Sequence, residues 1–78
     1  MDTRTQIVEI LRRVSKKDLS PDADESLFES GMLDSFDLPD VIAALEKAFS
    51  VKIPDSDLSP RKFDSVARIE QYLKGRAN

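Results

Sequence analysis

The residues best placed to do chemistry are Asp34, Ser35 and Phe36, within the run Gly31 to Phe49, GMLDSFDLPDVIAALEKAF. They fall where a loop turns into a helix. A serine there ordinarily caps the helix, its oxygen accepting a free backbone N–H. It also presents a hydroxyl beside a helix N-terminus, where free N–H groups and the helix dipole favour an anion. A phosphate ester on the Ser35 oxygen is therefore tolerated electrostatically. An aromatic directly after the serine, followed by acids at Asp37 and Asp40, is more than a cap requires.

Other chemistries find less support. The chain has no histidine and no cysteine. The commonest general base, the commonest metal ligand, a thiolate nucleophile and a disulfide framework are all absent. A Ser-His-Asp arrangement cannot be assembled from this chain alone. Asp22 to Glu25 and Asp55 to Asp57 resemble fragments of calcium loops, but neither has the central glycine or the later glutamate of an EF-hand. No metal site is expected. Asp37 and Asp40 lack a pocket that would raise a carboxylate pKa, so they are expected to display charge. Lys47 and Lys52 lack the desolvating surroundings that Schiff-base chemistry needs.

The elements that position the serine follow from periodicity. Ile7, Ile10, Leu11 and Val14 form one stripe, predicting a helix over 3–15 capped by Asp2 or Thr3. Arg12, Arg13, Lys16 and Lys17 gather at its end, where cations suit the dipole. Residues 18–34 form a long connection, rich in turn chemistry at Pro21 and Gly31. Leu27, Phe28, Met32 and Leu33 are expected to anchor it to the core. The second helix is predicted over 36–49. Leu38, Val41, Ile42, Leu45 and Phe49 share its inner face, while Phe36, Asp40, Ala43 and Lys47 point outward. Pro39 lacks an N–H and sits most easily in the first turn. Val51 and Ile53 tuck inward. Ser59 and Pro60 open a short helix to about Phe63. Asp64 or Ser65 caps a last helix to about Lys74, with Val66, Ile69, Tyr72 and Leu73 inward and Gly75 as its stop. The pattern predicts an all-α bundle with a long first loop.

Length and charge set the frame. Seventy-eight residues fit a single domain over 1–78, with little room for an internal active site. The 40% hydrophobic and 35% charged content is that of a soluble globular chain. No run approaches a membrane span and the N-terminus has no signal-type apolar stretch, so a cytoplasmic, non-membrane protein is expected. The net charge of −3 is unevenly spread. Residues 1–17 sum to +3, residues 18–49 to −8 and residues 50–78 to +2. The acidic middle disfavours nucleic acid and suits a basic protein partner.

LFESGMLDSF, Leu27 to Phe36, resembles the phosphopantetheine attachment motif of acyl and peptidyl carrier proteins, which centres on Asp-Ser followed by Leu or Phe. The likeness continues through DVIAALEKAFSVKIPDSDLSP, with its Phe-x-x-x-Ile-Pro segment Phe49 to Pro54, and through FDSVARIEQYL. Gly31, four residues before Ser35, gives a spacing similar to D-alanyl, peptidyl and other stand-alone carriers. The resemblance implies a four-helix bundle of acyl-carrier type with a short third helix. It implies 4′-phosphopantetheine on Ser35, with Asp34, Phe36, Asp37 and Asp40 as partner-recognition positions. The arm's thiol would carry an acyl or aminoacyl group as a thioester, so the chain itself would be no enzyme. The implied partners are a phosphopantetheinyl transferase, an acyl- or aminoacyl-activating ligase and a downstream acyltransferase or synthase. The carrier is expected to be a monomer, and its cargo is left open. The competing reading is an unmodified helical interaction module of the same fold, in which Ser35 is only a cap.

Overall fold

The computed structural model describes residues 2–76. Helix α1 runs Thr3–Ser15, α2 Leu38–Phe49 and α3 Val66–Arg76, with 3-10 turns at Asp55–Asp57 and Pro60–Phe63. No strand occurs among the described residues. Helix α1 packs against both α2 and α3, and α3 against the second 3-10 turn.

Each helix buries the stripe its sequence carries. Ile7, Ile10 and Leu11 of α1, Leu38, Val41, Ile42 and Leu45 of α2, and Val66, Ile69 and Leu73 of α3 meet in one core. Val14, Phe49 and Tyr72 lie half-buried at its edge. The long loop enters the same core through Leu19, Leu27 and Leu33, with Phe28 and Met32 packed alongside. Burying a leucine contributes roughly 1.5–3 kcal/mol, so these anchors oppose the entropy of ordering a seventeen-residue connection over 18–34. Phe63, at the end of the second 3-10 turn, is among the largest fully buried side chains. Its ring lies 5.0 Å from that of Tyr72, tilted by 60°. Sequence reading did not single out Leu19 or Phe63 as core.

The ends of the elements show which caps operate. Asp2 accepts the amide of Thr5 at 2.8 Å and caps α1. Ser65, buried, accepts the amide of Arg68 at 3.1 Å and caps α3, which leaves Asp64 free for other bonds. Ser59 accepts the amide of Arg61 at 3.3 Å at the head of the second 3-10 turn. That turn stands where a short helix was predicted. Lys16 and Ser50 close α1 and α2 in the left-handed conformation, at φ 60° and 54°.

Two boundaries differ from the sequence reading. Helix α2 begins at Leu38, two residues later than predicted, because Pro39 has no N–H to offer the Ser35 carbonyl. The chain there makes a tighter turn, with the Asp37 amide bonded to the Asp34 carbonyl at 3.0 Å. Gly75 does not stop the last helix, which continues to Arg76. The Arg76 guanidinium instead grips the carbonyl of Lys52 at 2.9 and 3.2 Å, tying that end to the segment after α2.

Candidate functional site

The turn carrying Ser35 is built by two aspartates. Asp34 Oδ1 accepts the amides of Phe36 at 2.9 Å and Asp37 at 3.3 Å. The Asp37 carboxylate returns the favour, accepting the Asp34 amide at 3.2 Å. This reciprocal pattern is that of a capping box. It satisfies the donors that an incipient helix leaves without partners. Asp34 therefore caps the turn ahead of α2, while Asp37, the N-cap of α2 itself, makes no side-chain cap bond to that helix and Ser35 caps neither. The Ser35 hydroxyl makes no hydrogen bond among the described residues, and the residue is exposed.

The loop before the turn is fixed at several points. Leu33, buried, donates its amide to the Leu27 carbonyl at 2.9 Å, closing the segment that contains Gly31. Gly31 has φ +84°, a left-handed conformation that glycine adopts without a Cβ penalty. Lys17 Nζ donates to the Gly31 carbonyl at 3.2 Å. Arg12 Nε donates to the Leu19 carbonyl at 2.6 Å. Two of the four cations at the end of α1 thus hold the loop, beyond serving the helix dipole. Ser26 and Phe28 bond to Asp64, and the Leu27 amide bonds to the Asp64 carbonyl at 2.6 Å.

The predicted recognition positions surround the serine. Phe36 is 87% exposed, the most exposed large apolar side chain among the described residues. Asp34 and Asp40 are exposed and Asp37 is half-buried. Ala43 and Lys47 continue the outward face of α2. The site thus presents a free hydroxyl, an unburied aromatic and acidic side chains at one end of a helix. Among the described residues it has no buried base beside the hydroxyl.

Two of the acids considered for calcium, Asp57 and Glu25, bond elsewhere. Asp57 accepts Lys62 Nζ at 2.8 Å and the Tyr72 hydroxyl at 2.6 Å. The Lys62 bond, then the Tyr72 bond, hold the Asp57 carboxyl below the usual carboxylate range. Burial, and then the bond to Asp57, push the Tyr72 phenol up to about 12. Glu25 accepts the amide of Asp22 at 3.1 Å. No group of three or more potential metal-ligating side chains occurs among the described residues. No described helix is long and apolar enough to cross a membrane.

Comparison with known proteins agrees with this geometry. The family model described as a phosphopantetheine attachment site matches residues 5–73. A D-alanyl carrier protein of Leuconostoc mesenteroides subsp. mesenteroides is 32% identical over 77 residues, covering 94% of this chain and 99% of the relative. A D-alanyl carrier protein of Streptococcus pyogenes serotype M5 is 32% identical over 74 residues, covering 95% and 94% respectively. The family's group is a covalently attached 4′-phosphopantetheine, and an exposed serine hydroxyl with no competing hydrogen bond fits a phosphate ester. The chain belongs to the phosphopantetheine-binding carrier proteins.

Proposed function

We propose that Ser35 is the attachment residue, and that the chain carries an aminoacyl group, D-alanine first among the candidates, between partner enzymes. The observation that carries this reading is the Asp34–Asp37 capping box. It caps the turn without the serine and leaves the Ser35 oxygen exposed and unbonded among the described residues. The relatives' name supports the D-alanyl cargo. When bound, the prosthetic arm supplies the thiol that this cysteine-free chain lacks and holds the cargo as a thioester.

The chain's own residues bind and orient. Phe36 is the apolar anchor for a docking enzyme, and Asp34, Asp37 and Asp40 steer a basic partner surface toward Ser35. The partners would be a phosphopantetheinyl transferase, an aminoacyl-activating ligase and a downstream acyltransferase or synthase. No step is assigned to catalysis by this chain, which works as a monomeric cytoplasmic carrier domain over 1–78. We read the four-residue 3-10 turn Pro60–Phe63 as the counterpart of the family's short third helix, the reading under which the bundle would be of four-helix acyl-carrier type.

The test is loading. The protein is treated with coenzyme A and a phosphopantetheinyl transferase, then with ATP, D-alanine and a D-alanine-activating ligase. A D-alanyl adduct that hydroxylamine removes is expected. A holo protein that such a ligase leaves unloaded, while it loads a D-alanyl carrier control, would contradict the D-alanyl assignment.

A further inference from the structure

We infer that Asp64 is a positioning residue for modification of Ser35, acting as a latch on the loop that leads into it. This rests on the proposed attachment at Ser35. Asp64 stands outside the docking face, between the Pro60–Phe63 turn and α3. Its half-buried carboxylate makes no ion pair among the described residues. It accepts the Ser26 hydroxyl at 2.8 and 3.0 Å and the Phe28 amide at 3.2 Å. Its carbonyl accepts the amide of Leu27, the residue between them, at 2.6 Å. One residue therefore holds three consecutive loop residues.

The hold continues to the site. Leu27 is fully buried, and its carbonyl accepts the Leu33 amide. Leu33 is buried and directly precedes Asp34, whose carboxylate shapes the Ser35 turn. A second tie, the Ala67 amide to the Ala23 carbonyl at 2.9 Å, joins α3 to the loop on the far side of Ser26. Nothing in α3's own capping needs the Asp64 side chain, because Ser65 accepts the Arg68 amide. A half-buried carboxylate satisfied by uncharged donors of a distant loop is costly unless those donors stay in place. The arrangement couples loop position to the α3 end, so a released loop leaves the Ser35 turn to be ordered at docking, which weakens productive binding.

Asp64→Leu, Asp64→Asn and Ser26→Ala separate the latch from general packing. Asn can still accept the Phe28 amide and can donate to the Ser26 oxygen, so it should restore what Leu removes. Two readouts apply: amide hydrogen exchange at Phe28 and Leu33, and kinetics of Ser35 modification by a phosphopantetheinyl transferase with coenzyme A. In Asp64→Leu, both amides should exchange about tenfold faster or more, with helical circular dichroism retained. Its KM as carrier substrate should rise roughly tenfold with kcat little changed, since the docked turn, once seated, is the same. Ser26→Ala should shift both readouts in the same direction by less, and Asp64→Asn should stay near wild type. Should Asp64→Leu fail to fold, Ser26→Ala carries the decision, and unchanged exchange and KM there overturn the latch. Asp64→Leu that is folded with wild-type exchange and KM, or Asp64→Asn as impaired as Asp64→Leu, overturns it too. Failure of the attachment proposal looks different: wild type itself is unmodified, or Ser35→Ala is modified equally. The exchange readout judges the latch in either case.

Discussion

At the Ser35 turn, the Asp34 carboxylate accepts two backbone amides while the Ser35 hydroxyl accepts none among the described residues. The two residues should therefore respond differently to truncation. Asp34→Ala removes the cap and should cost about 0.5–2 kcal/mol of stability. Ser35→Ala should cost less than about 0.5 kcal/mol, as an exposed change away from special features. Urea denaturation of both variants checks the order; a larger loss in Ser35→Ala would return the cap to the serine. Phe36 offers the converse contrast. At 87% exposure its truncation removes almost no buried contact, so Phe36→Ala should melt within a few degrees of wild type. An aromatic anchor in a protein interface is commonly worth about 2 kcal/mol or more, so the same variant should be modified far more slowly. Melting temperature measured beside transferase rate separates the two roles. A variant that melts much lower but is modified at the normal rate would place Phe36 in the fold instead.

Among the elements, α3 runs through the glycine that the sequence offered as its stop. Gly75 lies inside the helix without a left-handed φ, and a Cβ there would meet nothing within 4 Å. Gly75→Ala should therefore stabilise by about 0.5–1 kcal/mol through reduced unfolded-state freedom. Guanidinium denaturation checks this; destabilisation would mean that the glycine's conformation matters. The Tyr72–Asp57–Lys62 set makes a pH prediction. Folding raises the Tyr72 phenol to about 12, so its contribution is full below pH about 10 and is lost as pH rises through about 12. Folding lowers the Asp57 carboxyl, so its contribution is present above pH about 4 and fades as pH falls through the lowered value. Tyr72 is the one tyrosine in the chain, so phenolate absorbance reports it alone. It should titrate near 12 when folded and near 10 in denaturant. A folded midpoint near 10 would contradict the burial of the phenol together with its bond to Asp57.

These elements also show what was readable without coordinates. Strong 3.6-residue stripes gave α1 and the inner face of α2, because burial of one face dominates there. Outward-facing Phe36 followed from the same geometry. The start of α2 was harder, since two competing devices act within six residues: a capping box from Asp34 to Asp37 and a missing donor at Pro39. The spacing Asp-x-x-Asp was the signal that would have given the box. Leu19 and Phe63 were missed because each is an isolated apolar residue in a polar segment, where no periodicity marks it. The Asp64–Ser26 bond joins residues far apart in sequence, and no local pattern marks such a pairing.

Taken whole, the molecule separates holding from presenting. The three helices and the anchored loop share one core, and Arg12, Lys17 and Asp64 fasten the loop to α1 and α3. What remains outside is the Ser35 turn with Phe36 and its acids, at the head of α2. That turn lies within the acidic segment 18–49, of net charge −8 between basic segments, and the basic partner surfaces proposed above would complement it. Attachment of phosphopantetheine at Ser35 is decided by intact-mass and peptide-fragment mass spectrometry after incubation with coenzyme A and a phosphopantetheinyl transferase. A single phosphopantetheine adduct is expected, on the peptide containing Ser35, with none in Ser35→Ala. An unmodified protein under conditions that convert a control carrier, or an equal adduct in Ser35→Ala, would contradict it.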